Sequence, residues 1–106
     1  MLYASCNGGT WNKVEVDSAQ HCGAYCSMTF TPAGHPAISY FDQAKYDLKY
    51  AAFNGSTWKV TSVDTVGFVG WGTSLVMLPN GQPAISYFDF TNGRLKFATR
   101  QVPGAP

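Results

Sequence analysis

Residues 21–26 read HCGAYC. His21, Cys22 and Cys26, with His35 further along, are the borderline and soft donors that hold zinc in proteins. Their spacing fits none of the usual zinc patterns, so the cysteines read as space-filling residues of moderate size. No metal and no other cofactor is expected. A second kind of chemistry is offered by Asp42 and Asp89, which close two identical heptapeptides, and by the aromatic residues around them. Exposed rings stack on the apolar face of a sugar while carboxylates accept its hydroxyls. On that basis the candidate ligand-binding residues are His21, Tyr25, Asp42, Tyr46, Phe68, Trp71, Asp89 and Phe90. For each aspartate taken alone, an Asx-type turn that caps backbone N–H groups is the preferred reading. Neither paired acids at general acid–base spacing nor a Ser-His-Asp arrangement is present, so no catalytic residue is assigned and no enzyme is expected.

The elements that must position these residues are set by a repeat. PAISYFD stands at 36–42 and again at 83–89. Sliding the chain by 47 without gaps pairs Tyr3 with Tyr50, Trp11 with Trp58, Asp17 with Asp64, Gly34 with Gly81 and Leu48 with Leu95. Between residues 1–53 and 48–100, 22 positions are identical. A fixed period of about 20–50 residues marks a solenoid, propeller or array.

Within one period, turn residues punctuate four short runs rich in Val, Ile, Thr, Tyr, Phe and Trp. Pro79-Asn80-Gly81 and Asn92-Gly93 are tight-turn signals, and Asn54-Gly55 serves the complete copy. The runs predict strands near 11–17, 26–31, 36–42, 47–53, 58–64, 73–78, 83–89 and 94–100, preceded by 2–6. No run has the 3.6-residue period of a helix. Neither face of PAISYFD is charged inside the strand, which suits a sheet covered on both sides. The fold class is therefore all-β. Four-stranded antiparallel repeats of this length, stacked radially, are β-propeller blades. The chain reads as one two-bladed unit spanning 1–106, with repeats at 6–53 and 54–100 and a tail at 101–106 that carries no function. Ile38, Tyr40, Leu48, Leu75, Met77, Ile85, Tyr87, Leu95, Trp11 and Trp58 are the expected core.

Charged residues make up 12% of the chain, with seven basic and six acidic side chains. That balance lacks the basic stripe a nucleic-acid partner requires. No apolar run approaches the roughly 20 residues of a membrane span, and no signal peptide precedes the first strand. The odd count of three cysteines, all in the first copy, argues against a disulfide framework. Localisation is left open.

A propeller ring holds about four to eight blades. Two blades with uncharged faces would expose apolar surface at each end, so either the chain belongs to a longer protein or several copies close a ring. A homo-oligomer is expected, with three chains giving six blades. Each chain offers a third-and-fourth strand pair at one end and a blade lacking its fourth strand at the other. Strands from two copies would complete a blade, leaving either LYASC or LKFATR surplus.

The turns NGGTW (7–11) and NGSTW (54–58) resemble the end of the Asp-box, the S-x-D-x-G-x-x-W hairpin of sialidase-like propellers. Ala4 and Cys6, or Ala51 and Phe53, stand where the box has Ser and Asp. Sialidase chemistry uses an arginine cluster with Tyr, Glu and Asp, whereas this chain has only Arg94, Arg100 and Glu15 of the scarcer types. The repeat length, aromatic content and turn pattern also resemble the short two-repeat propeller lectins that trimerise into six blades. That resemblance implies assembly, and no sugar-contacting residue is carried over. The functional reading is an oligomeric, lectin-like binding module. The alternatives are a structural or protein-interaction propeller without a small ligand and, behind it, a glycoside hydrolase-like enzyme.

Overall fold

Turn chemistry dictates where the chain reverses. The Thr31 and Leu78 carbonyls accept from the amides of Gly34 and Gly81 at 2.8 Å, and the glycines take the left-handed φ of 83° that each turn needs. Asn54 Oδ1 caps the amides of Ser56 and Thr57 at 2.9 Å. Between such turns the computed structural model, which describes residues 1–100, holds nine strands and, among the described residues, no helix. They are β1 (Leu2–Asn7), β2 (Thr10–Glu15), β3 (Cys22–Phe30), β4 (Pro36–Asp42), β5 (Asp47–Phe53), β6 (Trp58–Asp64), β7 (Val69–Met77), β8 (Pro83–Asp89) and β9 (Arg94–Thr99). All pairing is antiparallel between consecutive strands, in sheets β1–β2, β3–β4–β5–β6 and β7–β8–β9. The tail at 101–106 lies outside the described residues.

The chain is all-β, and β4, β5, β6 and β8 have the boundaries read from sequence. β3 and β7 each begin four residues earlier than expected. The cause is a repeated bulge: register shifts between Cys22 and Ala24 and between Ala24 and Ser27, and again between Val69 and Trp71 and between Trp71 and Ser74. Extra residues break the alternation by which a strand is recognised, so these segments read as loops. Gly70, at φ 110°, is required by packing as well. A Cβ there would lie 3.1 Å from the Leu48 Cα and 3.2 Å from the Asp47 carbonyl oxygen.

The three sheets stack face to face. Ala37, Leu48 and Tyr50 of the second sheet bury against Val69, Leu75, Ile85 and Tyr87 of the third. On its other face the second sheet buries Ile38, Tyr40 and Ala51 against Val16, with Met1 and Tyr3 beside them. Two expected core residues, Trp11 and Leu95, are exposed instead, and Met77 and Trp58 are half-buried. Trp58 is half-buried because its ring lies 5.4 Å from that of Tyr3 in the preceding sheet. Trp11 has no such sheet beneath it among the described residues and is exposed. Likewise Leu48 is sealed by the third sheet, whereas its equivalent Leu95 is 79% exposed because no described sheet follows.

A polar latch crosses each stack. Tyr40 donates its O–H to Asp17 Oδ2 at 2.6 Å, and Lys49 Nζ reaches the same oxygen at 3.2 Å and Asp42 Oδ2 at 3.5 Å. Forty-seven residues on, Tyr87 donates to Asp64 Oδ2 at 2.7 Å while Lys96 stands at 3.0 Å from it and 3.9 Å from Asp89. Each latch thus joins the segment that ends one sheet to the middle strands of the next sheet.

Burial pushes the Asp17 carboxyl up, but the Tyr40 hydroxyl, the Ala19 amide and Lys49 together hold it down at about 2. Asp64 is lowered in the same way, against its own burial, by Tyr87, the Val66 amide and Lys96. Burial and then the accepting aspartate push Tyr40 and Tyr87 well above the usual phenol range. A lowered carboxyl contributes stability above its unfolded value near pH 4 and loses it as pH falls toward about 2. A raised phenol contributes stability below about pH 10 and loses it above. Urea titrations should therefore show a stability plateau with declining limbs at both ends, and Asp17→Asn should flatten the acid limb. An acid limb indifferent to that substitution would detach the latch from stability.

Candidate functional site

At the end of the strands where β4 and β8 finish, the loops of each repeat tie to one another. Gln43 donates its amide to the His21 carbonyl at 2.8 Å, and Phe90 donates to the Phe68 carbonyl at 2.8 Å. Val69 donates to the Tyr46 carbonyl at 3.1 Å, which joins the second repeat to the first. Thr91 Oγ1 accepts from the Phe68 amide at 2.7 Å.

These loops bring five predicted residues into one aromatic rim. Tyr46 stacks on Phe68 with ring centres 4.3 Å apart and planes within 15°. Tyr25 stacks on Trp71 at 5.5 Å. Phe68 and Trp71 meet edge to face at 5.4 Å, and Phe90 lies 5.2 Å from each. Tyr25, Tyr46 and Phe90 are exposed. Sequence reasoning missed the ring at the centre. Phe41 is buried, yet it lies 5.6 Å from Phe68, 6.1 Å from Tyr25, 6.3 Å from Tyr46 and 6.5 Å from Trp71. Its place directly before Asp42 in the repeated strand was the available signal.

The aspartates sit beneath this rim. Asp42 Oδ1 accepts from the amides of Ala44 and Lys45, and its Oδ2 faces Lys49 without hydrogen-bond geometry. Asp89 accepts from the Asn92 amide through Oδ1 and from the Asn92 side chain through Oδ2. Both carboxylates are buried. They shape the turns that carry Tyr46 and Phe90, and the groups that face outward are rings, not acids.

Strain is concentrated here. Among the described residues, those other than glycine with positive φ are His21 (57°), Tyr25 (52°) and Tyr46 (61°), all in the candidate set. The left-handed region costs a residue with a Cβ about 1–2 kcal/mol. The second repeat puts Gly72 (58°) and Gly93 (63°) at the positions of Tyr25 and Tyr46. So the first repeat holds tyrosines where its twin uses the residue the backbone favours. Strained residues of this kind persist where surrounding structure fixes them, and they cluster at functional sites. Here the fixing is visible: the Tyr25 carbonyl accepts from Thr73 Oγ1 at 2.6 Å, and the Tyr46 amide donates to the Asp42 carbonyl at 2.7 Å. The Trp71 indole N–H is buried without an acceptor.

The sulfur and imidazole groups do not converge. Cys22 donates to the Ala19 carbonyl at 3.1 Å, and burial followed by the Asp17 charge pushes its thiol up. Cys26 is exposed on β3, and His35 lies at the opposite end of the strands against Phe53. Among the described residues no three potential metal ligands stand together. Two crevices recur between the sheets at that opposite end. One, about 280 Å³, is lined by Tyr3, Val14, Pro36 and Trp58 among others, and its counterpart, about 180 Å³, by Tyr50, Thr61, Pro83 and Arg100. No protein-family model, curated protein or solved structure matches the chain.

Proposed function

We propose that the protein is an oligomeric β-propeller binding module, each chain supplying two blades to a ring closed by further copies, three chains making six blades. The ligand class is carbohydrate, bound on the aromatic rim, and no catalysis is assigned to the site. The observation that carries the binding reading is the pair of exposed tyrosines held in left-handed backbone where the second repeat has glycine. A backbone that keeps a strained aromatic in place of an available glycine is kept for what the ring touches. The buried Trp71 N–H, which has no partner, is a further donor beside the rim.

The glycine equivalents also supply the test. Tyr25→Gly and Tyr46→Gly each relieve about 1–2 kcal/mol of backbone strain and forfeit about 0.5–1.5 kcal/mol of ring stacking. Each variant should therefore unfold within about 1 kcal/mol of the parent while losing at least tenfold in affinity for glycans found by array screening and titrated by calorimetry. Full affinity in both variants would remove the rim as the site. An array without glycan binding, followed by capture of a protein ligand that the same variants abolish, would turn the reading to a protein-interaction propeller.

A further inference from the structure

The molecule carries both halves of an interface it already uses internally. Leu75 and Met77 of β7 pack in the same cluster as Leu48 and Tyr50 of β5. Forty-seven residues earlier, their equivalents Met28 and Phe30 are exposed on β3, and forty-seven later, Leu95 and Phe97 are 79% and 65% exposed on β9. The strand register repeats this fit. In the second sheet β6 pairs with β5, Tyr50 opposite Thr61, Ala51 opposite Val60 and Ala52 opposite Lys59. Applying the 47-residue offset to both strands sets Phe97 opposite Val14 of a second copy, Ala98 opposite its Lys13 and Thr99 opposite its Asn12. Within one chain those β2 residues are already taken: Val14 pairs with Tyr3, Lys13 with Ala4 and Asn12 with Ser5. β1 of one copy and β9 of another therefore fit the same edge of β2 in the same register.

We infer that β1 is a placeholder, and that on assembly β2 of each copy releases it and pairs with the open edge of β9 in the next copy. This rests on the ring proposed above and names its contact. β1 is the strand that yields because, among the described residues, its one ladder is to β2, and a two-stranded sheet is the least stable kind in water. β9, by contrast, is the third strand of a sheet and packs Ala98 against the main core. The exchange conserves the ladder, one strand replacing another, while Leu95 and Phe97 leave water. Phe97 takes the position Tyr3 gives up, as the alignment Tyr3–Tyr50–Phe97 requires.

The exchange is tested by pinning β1. In a chain with Cys6, Cys22 and Cys26 replaced by serine, Ser5→Cys with Asn12→Cys ties β1 to β2 when oxidised. Native mass spectrometry should find multiples of the 11.5 kDa chain when the pair is reduced and 11.5 kDa alone when it is oxidised. Thr99→Cys with Asn12→Cys in the same background should give disulfide-linked chains. Equal assembly of the pinned protein in both redox states, with no interchain disulfide from the second pair, would overturn the exchange and leave the ring. A protein that stays monomeric in every form would overturn both.

Discussion

Lys49→Met is expected to destabilise the protein by about 3–5 kcal/mol, the cost of breaking a buried ion pair from one side. The Lys49 side chain is 12% exposed and stands between Asp17 and Asp42, the latter 1% exposed. Burial alone would lower the Lys49 pKa, yet the two carboxylates outweigh it and raise it. Without the ammonium, two carboxylates remain in a site that water barely reaches. The repeat provides an internal control. Lys96 occupies the equivalent position with its side chain 39% exposed, so Lys96→Met should cost only about 1 kcal/mol, close to a surface pair. The Lys49→Met deficit should also shrink as pH falls toward about 2, where the Asp17 carboxyl that Lys49 helps to hold down takes up its proton. Equal losses for the two lysines in denaturant titrations would show that burial does not govern the latch.

Leu48→Ala should cost about 2–5 kcal/mol, and Ile85→Ala the same, because both fill the interface between the second and third sheets. Leu95→Ala removes the same atoms from the equivalent position and should change the stability of the single chain by less than about 0.5 kcal/mol. In the proposed ring, its effect falls on association instead. A Leu95→Ala protein that unfolds as easily as Leu48→Ala would mean that β9 is covered within one chain.

How much was legible follows from how each feature is encoded. The strands between tight turns were readable to the residue, because Pro36–Asp42 and Pro83–Asp89 are runs without charge before their closing aspartate and stop at turn formers. The bulges were not, since Gly23 and Tyr25 interrupt the alternation that defines a strand. Exposure of Trp11 and Leu95 was hidden for a different reason. The repeat equates them with Trp58 and Leu48, and identity of sequence says nothing about which copies have a neighbouring sheet. For the site, ring positions in the loops could be read directly, whereas Phe41 was concealed inside a strand that looked like core. The latch was present as four paired identities, Asp17 with Asp64, Tyr40 with Tyr87, Asp42 with Asp89 and Lys49 with Lys96. Only the stacking revealed that each set spans two sheets.

That crossing from sheet to sheet bears on how the chain melts. In repeat arrays, stability divides into what each unit holds alone and what it gains from its neighbour. Here the aspartate that completes one sheet's polar contacts belongs to the segment ending the sheet before it, so part of the stability belongs to the junction between sheets. Loss of the third sheet strips Asp64 of Tyr87 and Lys96 and bares Leu48 and Tyr50 in the same event. Partial unfolding is thereby penalised on both sides of the break. The amide protons of β4 and β8 should then exchange with solvent through a single opening, as one cooperative unit rather than two sheets that fray in turn.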